Sequence, residues 1–308
     1  MKKKIFIPII IALASQMIVS GCGDTKVSEK QTSQNLSTPT QTIDVSQDII
    51  ENTVEQDSKE IEKKIIQANY ENCFEKINGC IVIYDEMQNE YVVYNEDLGG
   101  QEASPCSSFK VISGLIGLEE GVLTSSDSRM NYNGSKYPID LWNEDLTLKE
   151  AFQCSCVWYF KKVMDQVGSE KVTQYINDLK YGNCDLTEWK GSGINPTDDT
   201  NGFWLESSLK ISPMQQVNVL SNIFEGKADF STQNIDIMKE IMFTDIINNY
   251  NVYGKTGTGN NNAWFVGFFE DDKKIYYFAT RLVGDDTQNV SGNIAKEITF
   301  NVIQQFNK

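Results

Sequence analysis

Histidine is absent from all 308 residues. That absence removes the usual general base of serine and cysteine hydrolases and the commonest zinc ligand. A nucleophilic serine in this chain has to be activated by a lysine or a carboxylate. Basic charge is also scarce: 27 Lys+Arg stand against 43 Asp+Glu, a formal net charge of −16. Nucleic acid and anionic lipid are poor partners for such a surface, because phosphate binding needs basic patches. The cysteine spacing matches no zinc pattern, so no metal is expected. The apolar run over 5–19 is too short for a comfortable transmembrane helix.

That run reads instead as an export signal over 1–21. Lys2, Lys3 and Lys4 precede it, and small residues with a cysteine, Val19-Ser20-Gly21-Cys22, follow it. The tetrapeptide resembles the lipobox of bacterial lipoproteins. The resemblance implies cleavage before Cys22, a lipid on Cys22, and an exported protein anchored to the outer face of the bacterial cytoplasmic membrane. A plain secretory signal with an incidental cysteine is the alternative. Residues 22–58 are rich in Ser, Thr, Gln, Asp and Glu, with almost no aromatic residues. They bury too little apolar surface to offset ordering entropy and read as a flexible tether. Residues 59–308 are then the folded domain, at the upper end of single-domain size.

Within 59–308 the apolar pattern predicts a helix over 60–77, with Ile61, Ile65, Ile66, Tyr70, Phe74 and Ile77 on one stripe. Alternating strands over 80–84 and 91–94 read as a hairpin. From 107 to about 247 the pattern is mainly helical, with a capping box at Thr147 and Glu150. Strand character returns over 252–256, 264–269 and 275–282, and an amphipathic helix over 293–306 closes the chain. Strands at both ends of a helical stretch predict an α/β fold of the α+β type. Its central antiparallel sheet is split in sequence and flanked by N- and C-terminal helices, with an inserted mainly helical subdomain. A cleft between the two parts is the natural place for a site.

The chemistry-bearing motif is Ser107-Ser108-Phe109-Lys110, a Ser-x-x-Lys whose ends share a helical face. Ser207-Ser208-Leu209-Lys210 is a second match, so the motif alone decides nothing. After Ser107 come, in order, Ser155-Cys156-Val157, Tyr181-Gly182-Asn183 and Lys255-Thr256-Gly257. The copy at Ser207 has no Ser-x-Val between itself and Lys255 and is rejected as the nucleophile, its Lys210 being placed on an ordinary helix.

Together with Phe203-Trp204-Leu205-Glu206, these motifs resemble those of the serine-active penicillin-recognising enzymes, and among them the class D (oxacillinase-type) β-lactamases. The resemblance covers about residues 62–305. It implies hydrolysis of β-lactams through an acyl-enzyme on Ser107. Lys110 would be the general base as an N-carboxylated (carbamylated) lysine, so CO2 or bicarbonate is needed and no other cofactor. Val157 would keep its surroundings apolar, and Trp204 would donate to the carbamate. Ser155 would relay a proton to the lactam nitrogen. Lys255, Thr256, Gly257 and Thr258 would bind the substrate, and the N–H groups of Ser107 and Thr258 would form the oxyanion hole. Tyr181 and Asn183 would support the site structurally.

The chain also departs from the family. Cys106, Cys154, Cys156 and Cys184 border the motifs, where oxidation would reshape the site. At least one of them is expected to pair with another cysteine near the cleft; free buried thiols are the alternative. The stretch over 185–202 looks long and is expected to alter access. The family's carboxylate-binding arginine has no counterpart over 289–293, and whether Arg281 substitutes is open. Two other functions remain: a β-lactam sensor that acylates without turnover, and a D,D-transpeptidase or carboxypeptidase acting on peptidoglycan.

Overall fold

Strand β1 (Lys64–Gln67) and the short helix α1 (Glu71–Phe74) lead into a hairpin of β2 (Gly79–Asp85) and β3 (Glu90–Tyr94). The computed structural model describes residues 64–285 and 287–306, all within the compact unit Ser58–Lys308. The expected signal and tether, Cys22 included, lie outside the described residues. The hairpin falls where the alternation of Ile, Val and Tyr predicts it. Asp85 accepts from the Gln88 N–H in the connecting turn, and Asn89 closes it at φ 48°. The helix expected over 60–77 is corrected. β1 pairs in parallel with β3, from Lys64 opposite Glu90 to Gln67 opposite Val93, and supplies partners to an otherwise open main-chain edge. Pairing of the β-branched Ile65 and Ile66 there outweighs the helical period, and only α1 stays helical.

After α2 (Glu96–Gly99) the chain builds α3 (Lys110–Glu119), α4 (Leu148–Gln153), α5 (Val157–Val167), α6 (Ser169–Asp178), α7 (Pro213–Phe224) and α8 (Thr232–Met242). The Thr147–Glu150 capping box is present at the head of α4. The chain returns through β4 (Phe243–Ile247), β5 (Tyr250–Gly259), β6 (Asn262–Glu270) and β7 (Ile275–Val283) and ends in α9 (Gly292–Gln305). The seven strands are ordered β1-β3-β2-β7-β6-β5-β4, antiparallel except at β1–β3. Residues of β4 read as helix in the sequence. This is an edge strand with Phe243 and Ile246 exposed, so it lacks the half-buried alternation that marks a strand.

Alternation across the sheet makes two cores. Val82, Val93, Val266 and Ala279 face α3, α5 and α7 through Leu115, Val163 and Leu220. Ile81, Ile83, Phe265 and Phe278 face α9 through Ile298 and Val302, with Phe74 of α1 beside them. The α+β layering expected from the sequence is the one observed, with a much shorter N-terminal helix.

Candidate active site

Pro105 opens a 3-10 turn over Cys106–Phe109 that runs directly into α3. Cys106 sits at φ 50°, a conformation that L residues hold only under constraint. Ser107 lines a cavity from this turn, while Cys106, Ser108 and Phe109 are buried. Lys110 is fully buried, and its Nζ donates to Ser107 Oγ at 2.6 Å. Burial pushes its ammonium down to about 8, because a charge removed from water is disfavoured.

A second pair meets the first from across the cavity. α4 ends at Cys154, Ser155 turns the chain at φ 58°, and α5 begins at Val157. Lys255 on β5 donates from Nζ to Ser155 Oγ at 3.1 Å and to the Thr256 carbonyl at 2.9 Å. Burial, and then the neighbouring charge of Lys110, hold Lys255 well below the usual lysine range. β5 runs close along the Ser107 turn: a Cβ on Gly257 would stand 3.0 Å from the Pro105 carbonyl and 3.4 Å from the Ser107 nitrogen. Pairing of β4 with β5 ends at Phe243 opposite Tyr253, so among the described residues no strand continues β4 along the β5 edge over 254–259.

The cavity between these elements has a volume of about 560 Å³. Ser107, Ser155, Thr256, Thr258, Ser291 and Asn293 make its polar wall, and Pro138, Ile139, Trp142, Val157 and Leu205 an apolar one. Among the described residues no carboxylate lines it. The arrangement places a buried amine on a hydroxyl, a second hydroxyl on a second amine, and room beside both for an acyl compound.

Comparison with known proteins agrees with this geometry. Residues 79–304 match the family model "Penicillin binding protein transpeptidase domain". The chain is 31% identical over 245 residues to the probable beta-lactamase YbxI of Bacillus subtilis, covering 79% of this chain and 86% of that one. The chain belongs to this family. Its relatives there are of two kinds, beta-lactamases and regulatory penicillin-receptors. The regulatory protein BlaR1 of Bacillus licheniformis is 32% identical over 244 residues, 77% of this chain but only 38% of BlaR1. Thus the chain spans well under half the length of that curated relative. Among solved structures, the class D beta-lactamase from Bacillus subtilis superposes with TM-score 0.68 at 31% identity, over 77% of this chain and 95% of that one. The C-terminal domain of the Bacillus licheniformis BlaR penicillin-receptor superposes with TM-score 0.71 at 29% identity, over 79% and 97%.

The other motif residues of this penicillin-recognising domain are also placed. Trp204 is wholly buried and stacks on Phe109, and its Nε1 has no hydrogen-bond partner. Tyr181 is buried edge-on to Phe109. Asn183 clamps the loop ahead of α7: its Oδ1 accepts from the Lys210 N–H, and its Nδ2 donates to the Ser208 carbonyl. The rejected Ser207 donates to Glu188 Oε2 at 2.7 Å, a carboxylate rather than a lysine amine. Lys210 lies in irregular chain rather than on the expected helix, because its N–H and carbonyl are held by Asn183 instead of by helical partners. Arg281 is not among the residues that line the cavity. It is buried on β7, where its guanidinium donates to Asn262 Oδ1 and the Gln101 carbonyl, both at 3.0 Å. The expected cysteine pairing is not found: all six described thiols are free.

Some cavity residues were not legible beforehand. Lys136, Pro138, Ile139 and Trp142 come from a loop without periodicity, and Trp142 is fixed by donating to the Cys154 carbonyl at 3.0 Å. Asn195, Pro196, Thr197 and Thr200 come from the long stretch that the sequence did single out for access.

Proposed function

We propose that this protein hydrolyses β-lactam antibiotics through an acyl-enzyme on Ser107 and so confers β-lactam resistance. The observation that carries the reading is the Lys110–Ser107 pair: a fully buried amine, depressed to about 8, on the hydroxyl that faces the cavity. With no histidine in the chain and no carboxylate in the described lining, Lys110 is the group that takes the proton as Ser107 Oγ bonds the lactam carbonyl carbon. Ser155, held by Lys255, passes a proton to the departing lactam nitrogen. The N–H groups of Ser107 and Thr258 receive the developing oxyanion; one such donor is typically worth ~3–4 kcal/mol. Lys255, Thr256 and Thr258 receive the substrate carboxylate.

The residues also fit CO2 bound on Lys110 as a carbamate. CO2 adds to a neutral amine, Val157 lines the cavity, and the buried Trp204 Nε1 beside Phe109 is a donor lacking an acceptor. So bound, it would supply an anionic base for Ser107 and for the deacylating water.

A sensor that acylates without turnover is the second reading, favoured by the 32% identity to BlaR1. Excess chromogenic cephalosporin, with and without bicarbonate, separates the two. Many turnovers per protein, faster with bicarbonate, are expected; one stoichiometric burst points to the sensor or to a D,D-transpeptidase. The same reading places a lipid on Cys22 and the domain outside the cytoplasmic membrane. Labelling by radioactive palmitate in the producing cell should disappear in Cys22→Ala.

A further inference from the structure

We propose that Cys154 and Cys156 are an oxidisable dithiol whose disulfide switches off acylation of Ser107. Two thiols flank Ser155 where α4 hands over to α5, and the left-handed backbone of Ser155 folds the chain back between them. Cys154 lines the active-site cavity and is only partly buried, so a small oxidant reaches it along the substrate's path. Cys156 is wholly buried on the far side of Ser155. The neighbouring Cys156 side chain holds the Cys154 thiol below its ordinary range, with a smaller contribution from the Lys110 charge, while burial drives Cys156 up. The outer sulfur is therefore the nucleophile and the inner one the resolving thiol. Cys106, the remaining thiol near Lys110, is fully buried and bonded to Glu206 Oε1 at 3.4 Å, which leaves it outside this exchange.

The co-reactant is a hydroperoxide. Cys154 sulfur attacks the peroxide oxygen, the O–O bond breaks, and an alcohol or water leaves with the thiol proton. Cys156 sulfur then attacks the resulting sulfenic sulfur; the S–O bond breaks and water leaves with the Cys156 proton. Two thiols lose two electrons, and the peroxide is reduced. Closing the S–S bond draws together the residues on either side of Ser155, whose hydroxyl must stay on Lys255 at 3.1 Å. Displacement of a positioned group by an ångström costs on the order of 10²-fold in rate.

The test rests on the proposed β-lactam acylation only for its readout. The full chain, purified under reductant, is treated with hydrogen peroxide, freed of it, and exposed to a fluorescent penicillin. Failure of the untreated protein to label would refute the functional reading, whatever the thiols do. Expected are labelling slowed on the order of 10²-fold, a peptide spanning Cys154 and Cys156 that is two hydrogens lighter, and recovery with dithiothreitol. C156S should label normally before treatment and no longer become reversibly inactivated. The proposal is overturned if the peptide keeps its mass, if oxygen adds to Cys154 without a crosslink, or if C156S is inactivated and rescued like the native chain.

Discussion

Lys110 shows how far a single residue could be read. Its partnership with Ser107 was legible because three-residue spacing at a helix start fixes proximity, whatever the rest of the fold does. Its protonation was less so, since that depends on the complete burial of Nζ by elements distant in sequence. The depressed value has a sign that can be tested. Below pH about 8 Lys110 carries a proton and cannot accept one from Ser107; above it the amine is free. Acylation by benzylpenicillin should therefore rise about tenfold per pH unit up to about 8 and then level off. The unfolded chain holds that proton up to the ordinary lysine range, so it binds more protons than the folded chain above 8. Lys110's contribution to stability accordingly grows as pH rises from about 8 toward 10.5, which denaturant titrations across that window measure. Replacing Lys110 by Ala should lower turnover ~10²–10⁴-fold, measured with a chromogenic cephalosporin; substantial residual turnover would contradict its assignment as base. Arg281 is the opposite case. Only the structure shows its guanidinium committed to Asn262 and Gln101, because both partners are distant in sequence.

Among elements, the strands flanking the sheet's centre were legible and its edges were not. β2, β6 and β7 carry buried β-branched and aromatic runs that have no other use. β1 and β4 are edge strands, half exposed, and their identity comes from the neighbour they pair with rather than from their own pattern. The close contact of β5 with the Ser107 turn was equally hidden, although Gly257 marks it. A methyl group there meets the Pro105 carbonyl at 3.0 Å and the Ser108 nitrogen at 3.1 Å, two main-chain atoms that cannot rotate away. Gly257→Ala should cost ~1–3 kcal/mol of stability and push β5 off the turn. Stopped-flow acylation should slow by at least tenfold while far-ultraviolet circular dichroism keeps its native shape; unchanged acylation would show that β5 need not lie so close.

At the scale of the whole molecule, two cores back to back on one sheet hold four candidate site side chains that lie up to 148 residues apart in number, from Ser107 to Lys255. Their order along the chain carried the resemblance to the family, and the sheet brings them together by laying β5 against the turn at the head of α3. On the proposed reading a hydrolase and a receptor would both acylate Ser107, and what would divide them is the fate of the ester. Intact-mass spectrometry during incubation with excess benzylpenicillin follows that fate directly. The account predicts a Ser107 adduct that appears, then vanishes as hydrolysed penicillin accumulates to many equivalents of protein. A stoichiometric adduct that persists, with no further product, would contradict it.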